Sequence, residues 1–385
     1  MIQNQRLKSF LTNTIFRLFS FINQFLKHDK SRILLYSNLG FRDNTKAIYD
    51  FLIENKYYNK YKIVCCTNDY KKFRQENYPN VLFKSKSSGI LEYFRCNYVY
   101  YSFGKIPIKP HRDQIVVQMW HGTPFKAPGT TMIKSAKSKT IFYTHAFAAS
   151  DMFRPIMCDW FLCPIDIVCV NGHPRTDVFF KQYGKYDFGS YNKLILWTPT
   201  FRKSVKLGYS DVEDAPLVPV ITNDELKDID NFLKEKDIKI LIKLHPLQDL
   251  SQYNLVNMTN LILMSHEDFT NRNLDLYLLA AQSDALITDY SSIFYDYLLL
   301  NRPIAFTEDD INTFKDQRGF SVDDPDKFRP GFKIKTSEGL LSFINDISLG
   351  KDDYKEQRIR INNLVNKYQD GNNSKRALEL AGIYL

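Results

Sequence analysis

Short apolar runs alternate along this chain with stretches whose apolar residues recur at helical spacing. Arg32–Ser37, Lys62–Thr67, Val81–Lys84, Tyr98–Ser102 and Gln114–Trp120 read as strands, and Ile167–Val170 has the same character. Lys46–Glu54 and Ser87–Arg95 carry helical spacing between some of them. The alternation resumes beyond residue 190, with candidate strands at Leu194–Trp197, Ile238–Lys243, Asn260–Met264, Ala285–Thr288 and Pro303–Phe306. Strands and helices in turn predict an α/β fold whose parallel sheets are covered on both faces. Lys181–Tyr191, with Gly184 and Gly189, reads as a linker. The expected layout is therefore a helix over residues 1–28, a first domain over 29–182, a second over 190–350, and a helical tail over 351–385 packing back across them.

Leu7, Phe10, Leu11, Ile15, Leu18, Phe19, Ile22, Phe25 and Leu26 share one face of the first helix, and Arg6, Lys8, Arg17 and Lys27 are the charged residues before Asp29. An apolar face with a basic remainder suits an anionic membrane interface, or else packing on the first domain. Polar residues interrupt every candidate core of a signal peptide, and no apolar run reaches the ~18 residues of a spanning helix.

The 385 residues allow two domains, and 44% hydrophobic with 25% charged residues are globular values, which exclude a disordered chain. A net charge of +9 points to phosphates, nucleic acid or an anionic membrane as partners. The basic residues are spread along the chain without a nucleic-acid motif, so no nucleic-acid partner is expected. Six cysteines lack paired spacing and read as reduced core residues rather than disulfides or a zinc site. No dinucleotide fingerprint, phosphate-binding loop or metal motif occurs, so no cofactor or metal is expected.

The candidate chemistry lies just past strand carboxyl ends, where parallel sheets bind ligands. His121 follows one strand, with Gly122, Thr123, Pro124 and Lys126 after it. A strand-end histidine suits proton acceptance near neutral pH, or a structural role in its loop. Arg175 follows another strand and offers a fork for phosphate, or a salt bridge to Asp177. Pro199, Thr200 and Arg202 follow Leu194–Trp197; Lys243, Leu244 and His245 end Ile238–Lys243. Ala285–Arg302 reads as strand, polar turn and helix, with Asp289, Ser291 and Ser292 at the turn. That geometry aims helix-end amides at a phosphate, or is an ordinary cap. Asp296, one turn further on, is a hydroxyl acceptor or a solvated helix acid.

The blocks Trp120-His121-Gly122-Thr123-Pro124 with Lys126, Pro174-Arg175, Pro199-Thr200-Phe201-Arg202, Lys243-Leu244-His245-Pro246, Thr288-Asp289-Tyr290-Ser291-Ser292 through Asp296, Arg302-Pro303 and Arg318-Gly319-Phe320 occur in this order. Together they resemble the CDP-glycerol glycerophosphotransferase family of teichoic acid and capsule synthesis, over roughly residues 32–335. The resemblance implies a GT-B fold: two facing Rossmann-like domains with parallel sheets and an interdomain cleft. It implies CDP-glycerol as donor, a membrane-bound or polymeric acceptor, and His121 and His245 as catalytic residues. His173 stands where the family often has tyrosine. The extra N-terminal domain of the long polymerases is lacking, which predicts a short, primase-like enzyme at the cytoplasmic face of the membrane. CDP-ribitol transfer and sugar transfer from a nucleotide-sugar are the competing expectations, and a homo-oligomer is compatible with all of them.

Overall fold

The computed structural model describes residues 5–73, 75–128, 141–200, 203–204, 209–210, 218–244 and 258–385. The chain divides into two units. Unit 1 comprises residues 1–123, 130–180 and 367–385; unit 2 comprises 124–129 and 181–366.

Unit 1 is built on seven parallel strands: β1 (Asp29–Ser37), β2 (Lys62–Thr67), β3 (Val81–Ser85), β4 (Cys96–Tyr101), β5 (Ile115–Gln118), β6 (His145–Ala148) and β7 (Val168–Val170). Their order is β3-β2-β1-β4-β5-β6-β7. The side-chain period of two sorts residues to the two faces. Ile33, Leu35, Ile63, Cys65, Tyr98 and Tyr100 enter one core cluster. Leu34, Val64, Cys66, Val99 and Tyr101 enter the other. Both faces are apolar because helices cover both, as a parallel sheet requires. Adjacent Cys65 and Cys66 thus lie on opposite faces. All six cysteines are free thiols, and burial pushes the pKa of both of these up, making them weaker acids.

Unit 2 holds β8 (Lys193–Thr198), the short antiparallel pair β9 (Lys203–Ser204) and β10 (Tyr209–Ser210), β11 (Ile238–Lys243), β12 (Leu261–Met264), β13 (Ala285–Thr288), β14 (Ile304–Thr307) and β15 (Phe332–Ile334). Its main sheet runs β12-β11-β8-β13-β14-β15, all parallel. Counted from each sheet's first strand, both orders begin 3-2-1-4-5-6, the doubly wound topology. Strand order reverses between β1 and β4 in unit 1 and between β8 and β13 in unit 2. Crevices open at the carboxyl ends of those pairs.

Three expectations are revised. The tail is two helices rather than one: Lys355–Val365 belongs to unit 2 and Asn373–Leu380 to unit 1. Strands β6 and β15 carry too few residues to stand out in the sequence, with four and three respectively. The stretch Ser87–Arg95 begins as a 3-10 turn, Lys86–Ser88, and only Gly89–Tyr93 is α-helical.

The first helix spans Gln5–Asn23. Phe16 and Phe19 pack on the unit 1 core, and the Asn23 side chain donates to Lys109 O and Gln114 Oε1. Ile15, Leu18, Phe21, Ile22 and Phe25 stay exposed, with Leu18 at 57%, Phe21 at 63% and Phe25 at 73%. Among the described residues no helix is long and apolar enough to cross a membrane.

Candidate functional site

In unit 1 the His121 loop leaves β5 beside the β1/β4 switch point. Met119 N still donates to Tyr101 O, 2.9 Å, and the chain then turns sharply. Trp120 takes a left-handed conformation, φ 58°, and Gly122 follows at φ 149°. A side chain at either position resists such angles, and glycine at the second removes that cost. Asn44 Nδ2 pins Trp120 O at 2.9 Å. The His121 ring lies between Phe103, stacked at 5.1 Å, and Trp120 at 3.9 Å. The Arg42 guanidinium sits over the Phe103 ring, 5.2 Å from its centroid.

The His121 side chain is exposed, yet its walls hold its pKa below the ordinary histidine value. Desolvation is the largest cause; Arg175 and Arg42 act the same way, while Asp43 and the Ser102 backbone oppose them. The result is an accessible imidazole that stays neutral at physiological pH, the state a proton acceptor needs.

Arg175 is buried rather than open to a ligand. Its Nη1 donates to Asp43 Oδ2 at 2.7 Å and to His121 O at 2.8 Å, and its backbone N donates to Asn44 Oδ1 at 3.0 Å. Its salt-bridge partner is Asp43, not Asp177. Asp177 instead accepts from Asn373 N and Ser374 N, capping the helix Asn373–Leu380. Arg175 therefore positions the His121 backbone. Thr123 is buried, its hydroxyl 3.2 Å from His173 Nε2.

In unit 2 the β8/β13 switch point is cross-linked. Thr288 Oγ1 donates to Thr198 O at 3.0 Å. Beyond it, Asp289 accepts from Thr200 N at 2.6 Å, from the Thr200 hydroxyl, and from the backbone N–H groups of Tyr290 and Ser291. Thr200 Oγ1 accepts in turn from Lys126 Nζ at 3.2 Å. Lys126 arrives on the strap 124–129, which is sewn to residues 319–321: Ala127 N donates to Gly319 O, Ser321 N to Phe125 O, and Ser321 Oγ to Lys126 O. Phe125 anchors the strap, fully buried against Phe294, Tyr295 and Phe320. Burial lowers the Lys126 pKa, Asp289 opposing and Arg318 assisting. The motif following β5 is thus shared, with His121, Gly122 and Thr123 in unit 1 and Pro124 and Lys126 in unit 2.

Ser291 and Ser292 are half-buried. Ser292 occupies the N-cap of the helix Ile293–Tyr297 without a side-chain capping bond. Pro199 is half-buried at the end of β8, and Lys243, at the end of β11, lies over the Phe269 ring. Two expected ligands are reassigned. Leu244 is a core residue, 1% exposed, its N–H given to Met264 O. Asp296 is fully buried and accepts from Tyr277 OH at 2.6 Å, so it is neither solvated nor open to a substrate hydroxyl. His245 and Arg202 lie outside the described residues. Sequence reading did not place Asp43, Asn44 or Phe103 in the site; Asp43 and Asn44 open the helix that follows β1, a polar turn beyond a strand end that could have pointed to them, whereas apolar Phe103 gives no such signal.

The chain matches the family described as CDP-glycerol:poly(glycerophosphate) glycerophosphotransferase over residues 18–381. It is 32% identical over 260 residues to a teichoic acid poly(ribitol-phosphate) polymerase of Bacillus spizizenii, covering 62% of this chain and 39% of that one. It is 27% identical to that organism's teichoic acid poly(glycerol phosphate) polymerase, over 83% of each chain. With the teichoic acid glycerol-phosphate primase of Bacillus subtilis it shares 24% identity over 97% of this chain and 98% of the primase. It therefore spans well under half of the first polymerase and nearly all of the primase. Among solved structures the wall teichoic acid polymerase TagF superposes with a TM-score of 0.73 at 20% identity, over 98% of this chain and 94% of that one. A UDP-N-acetylglucosamine 2-epimerase reaches 0.52 at 13% identity, over 92% of this chain and 96% of that one. Both likenesses concern the fold, which is α/β of the GT-B type. With a match that leaves only the two ends of the chain outside it, the protein belongs to the CDP-glycerol:poly(glycerophosphate) glycerophosphotransferase family.

Proposed function

We propose that this protein transfers glycerol phosphate from CDP-glycerol to a hydroxyl of a membrane-associated glycan or polyol-phosphate acceptor in teichoic acid synthesis, releasing CMP. The observation that carries the reading is His121, an accessible imidazole at a strand end, walled so that it stays neutral. The acceptor oxygen bonds to the β-phosphorus while the bond from that phosphorus to the bridging oxygen breaks. The electron pair leaves with CMP, and His121 takes the acceptor's proton. Lys126 and the Ser291 and Ser292 hydroxyls supply donors for the growing phosphate charge, and Thr200, its own donors given to Asp289, holds Lys126 in place. Pro199, Lys243, Arg202 and His245 complete the donor site. Arg175 and Asp289 act by holding other residues in place. A TagF structure obtained with CDPG soaked in supports the choice of donor. The exposed ridge of the first helix supports a peripheral location on an anionic membrane.

The second reading is CDP-ribitol as donor, favoured by the 32% identity to the ribitol-phosphate polymerase. A donor screen separates the two. Purified protein with acceptor is offered CDP-glycerol, CDP-ribitol and UDP-sugars one at a time, and release of CMP or UDP is followed with each; CMP from CDP-ribitol alone decides for the second reading. CMP from CDP-glycerol is expected, lost in His121→Ala while calorimetry still shows donor binding. Release from UDP-sugars alone, or near-normal turnover of His121→Ala, overturns the reading.

A further inference from the structure

Unit 2 carries a cavity of about 760 Å³ that the chemistry above does not use. Its lining comes from residues of the stretch 181–192, Gly184 not among them, and from Gln282, Asp284 and Arg302. Asn192 precedes β8, Asp284 precedes β13 and Arg302 precedes β14, so the cavity sits at the amino edge of the sheet. The six-residue β8 separates it from Thr198 and the switch point by roughly 16 Å. A small donor held at the carboxyl edge does not reach it.

The lining has a definite chemical character. Lys181, Lys185 and Arg302 bring cations to the lining, and Asp284 a carboxylate. That carboxylate is already engaged by Lys193 Nζ at 3.1 Å and Leu194 N at 2.9 Å. Arg302 is held in place, its Nη1 donating to Ala281 O at 2.8 Å and to Ser283 O. Tyr183, Tyr186 and Tyr191 add ring faces and hydroxyls. The Tyr186 hydroxyl accepts from Asp275 N at 2.9 Å, and its backbone N donates to Gln282 Oε1 at 2.9 Å, which ties the segment to the helix Leu276–Gln282. Cations among tyrosines suit a ligand that alternates phosphates with carbon and hydroxyl surface. A volume of this size accommodates more than a single phosphate.

We propose that this cavity binds the body of a polyol-phosphate chain, away from the hydroxyl that reacts. The proposal rests on the glycerol-phosphate reading above for the identity of the chain. It gives a long acceptor a second hold on the enzyme, and a one-unit acceptor none.

The test uses the full chain and a fluorescently labelled oligo(glycerol phosphate) in an anisotropy titration, which needs no turnover. In Lys181→Glu/Lys185→Glu, affinity is expected to fall about tenfold or more, with a shallower salt dependence. The KM for a long acceptor rises with kcat unchanged, while transfer to a one-unit acceptor and the KM for CDP-glycerol stay as in the wild type. Lys181→Arg/Lys185→Arg retains binding, and Tyr183→Ala weakens it without altering charge. Equal oligomer affinity in wild type and the Glu variant overturns the proposal. So does displacement of the oligomer by inorganic phosphate at matched phosphate concentration, which marks a simple anion site. Loss of binding to phosphatidylglycerol vesicles with oligomer binding intact assigns the patch to membrane instead. Failure of the wild type to release CMP from CDP-glycerol overturns the functional reading and leaves the titration result standing.

Discussion

Asp289 sits where a substrate ligand is expected, but its hydrogen bonds describe a different role. An ionised carboxylate has about four acceptor positions. Here the Thr200 hydroxyl, Tyr290 N and Ser291 N share Oδ1 and Thr200 N reaches Oδ2, all from the two loops that flank the β8/β13 switch point. It fixes the hydroxyl to which Lys126 donates, and so acts on a ligand through its neighbours. His121 is the opposite case, with an accessible ring and a shifted proton affinity. Its pKa falls from 6.5 to about 4, through desolvation first and then Arg175. The group is therefore neutral in the folded protein over a range in which a free histidine is protonated. The acid limb of the transfer rate is expected well below pH 6.5, with a flat profile from there to neutrality, measured as CMP release against pH. His121→Gln abolishes the rate. A limb centred near 6.5 sinks the assignment. The linkage for stability has a definite sign. The unfolded chain binds the proton below 6.5 and the folded ring does not, so this group's contribution is fully present above pH 6.5 and is lost as pH falls from there toward 4.

The first helix shows how one element divides its apolar residues between two surroundings. Phe16 and Phe19 turn to the unit 1 core, whereas Ile15, Leu18, Phe21, Ile22 and Phe25 form an exposed ridge on which Phe21 and Phe25 touch at 5.0 Å. Burying one large apolar side chain is worth about 1.5–3 kcal/mol, so Leu18→Asp/Phe21→Asp is expected to weaken binding to phosphatidylglycerol vesicles at least about tenfold. Co-sedimentation measures this, with circular dichroism as a check on folding. Unchanged sedimentation removes the membrane role. The sequence made an apolar face legible through residues such as Ile15, Leu18, Ile22 and Phe25 at helical spacing, but left out Phe16 and Phe21. It hid the division, because which apolar residues turn inward depends on a core assembled from distant strands. The same limit explains the other misreadings. Strands such as β1 and β11 were readable from their apolar runs, while β6 and β15 are too short to show a period. His121 was readable because polar residues just past a buried strand stand out. Arg175 was misjudged because its partner Asp43 lies 132 positions away, whereas Asp177 was the nearer acid. Leu244 was drawn into the site by its motif neighbours, though the motif gives no sign of which side chain turns to the core.

At the scale of the whole molecule the chain enters unit 1 three times, twice to build the seven-stranded sheet and finally through residues 367–385. The last helix, Asn373–Leu380, is no appendage. Ala377, Leu378, Ala381 and Ile383 are buried in the same cluster as Ile48, Leu52 and Tyr100. Polar bonds fix its approach: Asp177 caps its first turn, Tyr100 OH donates to Ala377 O at 2.9 Å, and Lys60 Nζ and Tyr61 OH both donate to Tyr384 O. Several of these bonds reach residues that flank the His121 loop, since Asn373 Nδ2 also donates to Thr176 Oγ1 at 3.1 Å and Thr176 Oγ1 donates to His173 O at 2.8 Å. The sheet alone thus leaves one core face incomplete. Leu378→Ala is expected to lower stability by about 2–5 kcal/mol, through lost burial and the cavity left behind. Leu380, two positions on, is 37% exposed, and Leu380→Ala is expected to change stability by about 0.5 kcal/mol or less. Urea unfolding of the full chain, followed by tryptophan fluorescence, compares the two. Matching losses mean the helix is not seated by its Leu378 face. A large loss in Leu378→Ala alone shows that the first sheet depends on the last helix for its core.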